Sequence, residues 1–173
     1  LRLHRLAQGK GSYSYVHLVS GSDLPLKTQD EIHAFFDTHH GKQFVGFSGR
    51  DRDEWVNYIH LAQRFQRSGS PFLRAGSAKA RSMILAAQRR RSTDSTQGTG
   101  VTIAHGSDWY SVTGEFARHL VAQEALVKDL FRWARVPTEF YVQTVLLRSR
   151  FADDVFDLAN EGRSTMRFID WSE

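Results

Sequence analysis

The stretch from Tyr13 to Phe47 constrains the fold more than any other part of the chain. Residues 13 to 19, Tyr-Ser-Tyr-Val-His-Leu-Val, are aromatic and β-branched with partial alternation, which predicts a strand ending at Ser20-Gly21-Ser22-Asp23. Thr28-Gln29-Asp30-Glu31 has the spelling of a capping box, in which the Thr hydroxyl and the Glu carboxylate each take a backbone N–H left unpaired by the first helical turn. Ile32, Phe35 and Phe36 fall on one face of the helix so started, and Gly41 ends it. Gln43 to Phe47 reads as a second short strand. Strand, helix and strand in succession predict an α/β fold.

Downstream the pattern first weakens. From Ser68 to Gly100, four glycines (Gly69, Gly76, Gly98 and Gly100) punctuate a basic segment with a run of Ser and Thr, which reads as a mobile or inserted connection. Within it Met83, Ile84, Leu85 and Ala87 can form a short helix with a partly buried face. Arg89-Arg90-Arg91 reads as a solvated helix end whose cations complement the dipole, in preference to a nucleic-acid or membrane patch. Val101 to His105 leads, as an apolar strand with a polar edge, into Gly106 to Val112. Thr113 then caps a helix whose Phe116, Leu120, Ala125, Leu126, Leu130 and Phe131 form a stripe through Trp133, with a break near Gln123. Pro137 stops it. Thr138 caps the next helix, which leaves Glu139 at its first position. With 173 residues, 40% of them hydrophobic, the chain can bury a sizeable core and is expected to be a single domain or a fragment of one.

Candidate chemistry lies in two segments, Gly106-Ser107-Asp108-Trp109-Tyr110-Ser111 and Pro137-Thr138-Glu139-Phe140-Tyr141-Val142-Gln143-Thr144. Each sets a carboxylate among aromatic side chains at the edge of a predicted element, and together they read as one acidic, aromatic-walled pocket. A single positioned carboxylate can take the proton of an attacking hydroxyl. By residue type alone, Glu139 is more simply a helix-start carboxylate, Asp108 a turn or cap side chain, and Trp109 and Trp171 core aromatics. Asp23 is equally an Asx turn ahead of Pro25. Asp51-Arg52-Asp53 has the spelling of a divalent-metal pair, but in a polar stretch where such spacing recurs by chance. His39-His40 point to different sides of any regular element and have no third ligand at a recognisable spacing.

Taken in order, Tyr13 to Lys27, the Asp108 and Glu139 segments, and Met166-Arg167-Phe168-Ile169-Asp170-Trp171 resemble the core-2/I-branching β-glycosyltransferase family, which includes protein xylosyltransferases. The resemblance spans roughly Tyr13 to Trp171. It implies a GT-A-like α/β fold with a central mixed sheet flanked by helices. It also implies inverting, metal-independent transfer from a UDP-sugar to an acceptor hydroxyl with β linkage. N-acetylglucosamine is the first expectation for the sugar and xylose the second, with no cofactor and no metal. By the same resemblance Glu139 is the catalytic base and Asp108 binds a sugar hydroxyl. Its Asp-Trp-Tyr order, with Trp109 alongside, matches the xylosyltransferase branch. Trp171 becomes an acceptor-binding indole, Glu54 an acceptor-side acidic residue, and Ser22 and Asp23 lie on the nucleotide side. The family's metal-replacing basic side chains lie downstream of the residue matching Trp171, and nucleotide-binding strands are expected before Leu1, so the chain is expected to be incomplete at both ends.

The absence of Cys and of any Asn-x-Ser/Thr acceptor fits a reducing cytoplasm and a bacterial-type member. No apolar stretch is long enough to cross a bilayer. The net charge of +4, with its basic excess between Arg64 and Arg91, would attract a nucleotide diphosphate, nucleic acid or an anionic membrane alike. The rival class is a non-catalytic carbohydrate-binding or basic nucleic-acid-binding module. Carboxylates at 108 and 139 would repel phosphate in a nucleic-acid groove, so no nucleic-acid partner is expected.

Overall fold

The computed structural model describes residues 1–49, 52, 54–61, 69–96 and 98–168. In chain order its elements are α1 (Arg2–Gln8), β1 (Tyr15–Leu18), α2 (Gln29–Thr38), β2 (Phe44–Val45), α3 (Glu54–Asn57), α4 (Pro71–Arg90), β3 (Tyr110–Thr113), α5 (Gly114–Ala122), α6 (Glu124–Phe131), α7 (Thr138–Leu147) and α8 (Glu161–Thr165).

The strands form an antiparallel sheet in the order β1-β3-β2. Tyr15 faces Thr113 and Leu18 faces Tyr110 on one side of β3, while Phe44 faces Ser111 and Val45 faces Tyr110 on the other. Since β1 and β2 both run against β3, they point the same way, and α2 is the crossover that joins them. The strand-helix-strand reading therefore holds, with a later strand slotted into the gap. The expectation of a mixed sheet is corrected: among the described residues parallel pairing is limited to one isolated bridge, Gln43 with Val155. Nothing in the side-chain pattern of Tyr110 to Thr113 carries the direction in which that strand enters.

The start of α2 is as the sequence requires. Thr28 Oγ1 accepts from Glu31 N at 3.3 Å and Glu31 Oε2 accepts from Thr28 N at 3.0 Å, which closes the capping box. Its inner face lays Phe36 on Tyr15, with ring centres 4.7 Å apart, and on Phe44, at 5.0 Å. Residues 71 to 90, expected to hold at most a short helix, form the 20-residue α4. Ser70 caps it and Pro71 occupies its first turn; Ile84 and Leu85 lie on the partly buried face expected there, and since no residue of the helix is fully buried the apolar stripe is too weak to mark its full length.

Thr113 caps α5 by accepting from Phe116 N at 3.1 Å, and the chain breaks at Gln123 as expected. The stripe stops at Phe131, and Trp133 is 42% exposed with the Arg132 guanidinium over its ring, which corrects the expectation that it continues the buried face. α1 packs on α5, α8 on β2, and both α5 and α6 on α7. Of α7, every residue from Phe140 to Leu146 is buried, a helix enclosed on all sides. Among the described residues no helix is long and apolar enough to cross a membrane.

Candidate active site

Full enclosure of α7 puts two polar side chains, Gln143 and Thr144, in the interior, where unpaired donors and acceptors are costly. The Gln143 amide nitrogen and the Thr144 hydroxyl find partners in the segment before β3 and at Gly46, whereas Gln143 Oε1 is left without one. Gln143 Nε2 donates to Ser107 O at 2.9 Å and to Gly46 O at 3.3 Å. Thr144 Oγ1 accepts from Ala104 N at 3.0 Å and donates to Ala104 O at 3.3 Å. Two backbone bonds complete the clamp, Gly106 N to Glu139 O at 2.9 Å and Ser48 N to His105 O at 2.8 Å. Residues 104 to 107 spend their backbone groups in this way, and the apolar strand expected from Val101 begins only at Tyr110.

Glycine is required at 106. A Cβ there would lie 1.9 Å from Gly46 O, far inside van der Waals contact, so only a bare backbone lets the two segments touch. This close approach brings Asp108 beside the start of α7. Helix-start chemistry differs from expectation: Pro137 takes the cap position, Thr138 is the first helical residue, and Glu139 the second. The Thr138 side chain lies close enough to Asp108 to favour its ionised form and does not cap its own helix.

The resulting cluster joins Asp108, Thr138, Glu139 and His105. His105 Nε2 lies 3.0 Å from Glu139 Oε2, with the His side chain 14% and the Glu side chain 29% exposed. The Glu139 side chain keeps partial solvent access, and among the described residues no hydrogen bond other than the one to His105 falls on its carboxylate. Burial raises the Asp108 pKa above the ordinary carboxylate value; the Thr138 hydrogen bond opposes that shift and the Glu139 charge adds to it. One Asp108 oxygen, Oδ1, is buried without a partner. Two carboxylates of unequal environment thus share one site, an arrangement suited to dividing proton acceptance and hydroxyl binding between them.

The other expected site residues are placed as follows. Trp109 is half-buried directly before β3, its backbone N–H bonded to Ser107 Oγ at 3.1 Å. Asp23 is exposed in the turn after β1, where it accepts from Ser20 N at 2.8 Å and Ser20 Oγ at 2.6 Å, and these bonds lower its pKa. Ser22 Oγ lies 3.0 Å from Ser20 Oγ in the same turn. Both sit at the strand end, with no contact to the carboxylate pair. Glu54 pairs with Arg89 at the end of α4 and lines a cavity of about 290 Å3 that includes neither Asp108 nor Glu139. Its neighbour Trp55 does approach the cluster, edge-on to His105 with ring centres 6.4 Å apart. Trp171, Asp51 and Asp53 lie outside the described residues.

A family model described as Core-2/I-Branching enzyme matches residues 2–173, the whole of this arrangement. The chain belongs to that family. Among similar proteins are xylosyltransferase 2 of Rattus norvegicus, 23% identical over 158 residues, and xylosyltransferase 2 of Homo sapiens, 22% identical over the same length, each match covering 89% of this chain and 16% of the relative. Xylosyltransferase oxt of Drosophila pseudoobscura pseudoobscura is 26% identical over 148 residues, 82% of this chain and 15% of that protein. The chain therefore spans about a sixth of the length of the curated relatives it matches. Membership makes it a glycosyltransferase-family domain of mixed α/β structure, with a small antiparallel sheet flanked by helices.

Sequence reasoning did not find His105 as a site residue and treated Gln143 and Thr144 only as motif context. Polar side chains in the middle of an otherwise apolar helix were the available signal for the last two. His105 carried none, because its partner is 34 residues away and no spacing rule links them.

Proposed function

We propose that this domain serves inverting, metal-independent transfer of a sugar from a UDP-sugar to an acceptor hydroxyl, forming a β linkage on a GT-A-like fold. The observation that carries the reading is the meeting of Asp108 and Glu139, with one Glu139 oxygen held by His105 and the side chain partly exposed. Glu139 takes the acceptor proton as the acceptor oxygen attacks the anomeric carbon opposite the departing UDP. The new C–O bond forms as the bond to the diphosphate breaks, and its electron pair leaves with UDP. Asp108 orients a sugar hydroxyl beside Trp109. Trp171 and Glu54 serve the acceptor, and Ser22 and Asp23 the nucleotide side, as the family resemblance implies. The relatives' names support xylose as the donated sugar over N-acetylglucosamine.

The test is turnover of UDP-xylose and UDP-N-acetylglucosamine by the full-length protein, with and without EDTA. Activity is expected to persist in the chelator; loss restored by Mn²⁺ refutes the metal-free step. Glu139→Gln keeps shape but removes proton acceptance, so kcat is expected to fall by roughly a hundredfold or more with UDP affinity retained. Asp108→Asn is expected to lose less, partly through KM. Near-normal kcat for Glu139→Gln removes Glu139 as the base and transfers that role to Asp108.

A further inference from the structure

We propose that His105 is the positioning residue of this site, an imidazole whose Nε2–H holds Glu139 Oε2 and thereby presents the other carboxylate oxygen to the acceptor. The catalytic part of this inference rests on the glycosyl-transfer reading, whereas the contact itself rests on geometry alone.

The backbone of His105 is held on both sides: its carbonyl accepts from Ser48 N at 2.8 Å, and its neighbours Ala104 and Gly106 are tied to Thr144 and Glu139 of α7. The ring is wedged between Phe140, at 5.0 Å, and the edge of Trp55. Glu139, in contrast, starts a helix with a flexible and partly exposed side chain, so a second contact is needed to select one rotamer. The 3.0 Å approach of Nε2 supplies it.

The tautomer follows from the other nitrogen. Nδ1 is buried and has no partner. A proton there would leave a buried donor unsatisfied and, in the neutral ring, would turn the Nε2 lone pair against the carboxylate. A neutral ring protonated at Nε2 leaves only a lone pair unpaired and makes the Glu139 bond. The charged groups near the ring are Glu139 and Asp108 and, through Trp55, the Arg52 and Arg135 guanidiniums, which lie over that indole at 4.3 and 4.8 Å. The unpartnered Nδ1 and the Nε2 contact together favour a proton on Nε2.

Side-chain length gives a discriminating test, because a Gln amide nitrogen reaches the position of His Nε2, whereas the Asn amide nitrogen matches Nδ1. In the full-length protein, His105→Asn is expected to lower kcat at least tenfold with donor KM within about twofold, and His105→Gln to recover to within a few-fold of the native rate. Equal rates for the two variants, or a loss confined to KM, overturn the inference. Nitrogen-15 NMR of the imidazole is the activity-independent arm. The His105 signals are expected to report the Nε2–H tautomer and to shift in Glu139→Gln; an Nδ1–H tautomer, or signals indifferent to Glu139→Gln, overturns the contact. Should the native protein turn over no UDP-sugar, the glycosyl-transfer reading fails, and the NMR arm decides whether His105 holds Glu139.

Discussion

Replacing Gln143 with Leu tests whether the buried clamp assembles the site. The two side chains are close in size, so the substitution leaves little cavity and isolates the hydrogen bonds. It strands the Ser107 carbonyl, bonded at 2.9 Å, and the Gly46 carbonyl, bonded less tightly at 3.3 Å. An unpaired buried acceptor costs about 1–3 kcal/mol, and the longer bond belongs at the lower end of that range. Gln143 Oε1 is itself buried without a partner, so its removal returns about 1 kcal/mol. The net loss is roughly 2 kcal/mol, which for a chain of this size lowers Tm by about 4–8 °C. Because the same bonds hold the segment carrying His105 and Asp108 against α7, turnover is expected to fall at least tenfold at a temperature where the variant is still folded. Chemical denaturation followed by circular dichroism, alongside UDP release from the donor, measures both. A Leu variant with the native midpoint and native turnover would refute the claim that Gln143 organises the site. A loss of stability without loss of turnover would restrict its role to packing.

Gly106→Ala forces a Cβ against the Gly46 carbonyl and is expected to destabilise by about 3 kcal/mol and to abolish most turnover; native stability would show that the two segments separate freely. His4 is 3% exposed beneath Tyr110, and burial depresses its pKa from 6.5 to about 4. The unfolded chain therefore binds this proton first, and the stability tied to the neutral ring is full above pH 6.5 and declines as pH falls toward 4. That amounts to about 2 kcal/mol between pH 7 and pH 5, and denaturation midpoints of His4→Phe are expected to lack this component. An unchanged pH dependence in His4→Phe assigns the acid sensitivity to other groups.

Local signals in this chain determined local structure. The Thr28 to Glu31 capping box, the Ile32, Phe35 and Phe36 face, the Thr113 cap and the break at Gln123 were all legible, because each depends on residues within a turn or two of one another. Family membership was legible from the order of the Asp108 and Glu139 segments. Long-range pairing decided the rest. Only the stretch of α4 around Met83 to Ala87 was legible, because no residue of the helix is fully buried and its apolar face is too weak to mark the whole length. Thr138 left its expected capping role because Asp108, 30 residues earlier, was brought within its reach. The antiparallel entry of β3 between β1 and β2 placed the segment at 104–107 over α7, and Gly46 and Gly106 let the backbones meet. Sequence alone named the two carboxylates; only the fold joined Glu139 to His105 and raised the pKa of Asp108, because burial and hydrogen bonding belong to the packed interior and not to any one segment.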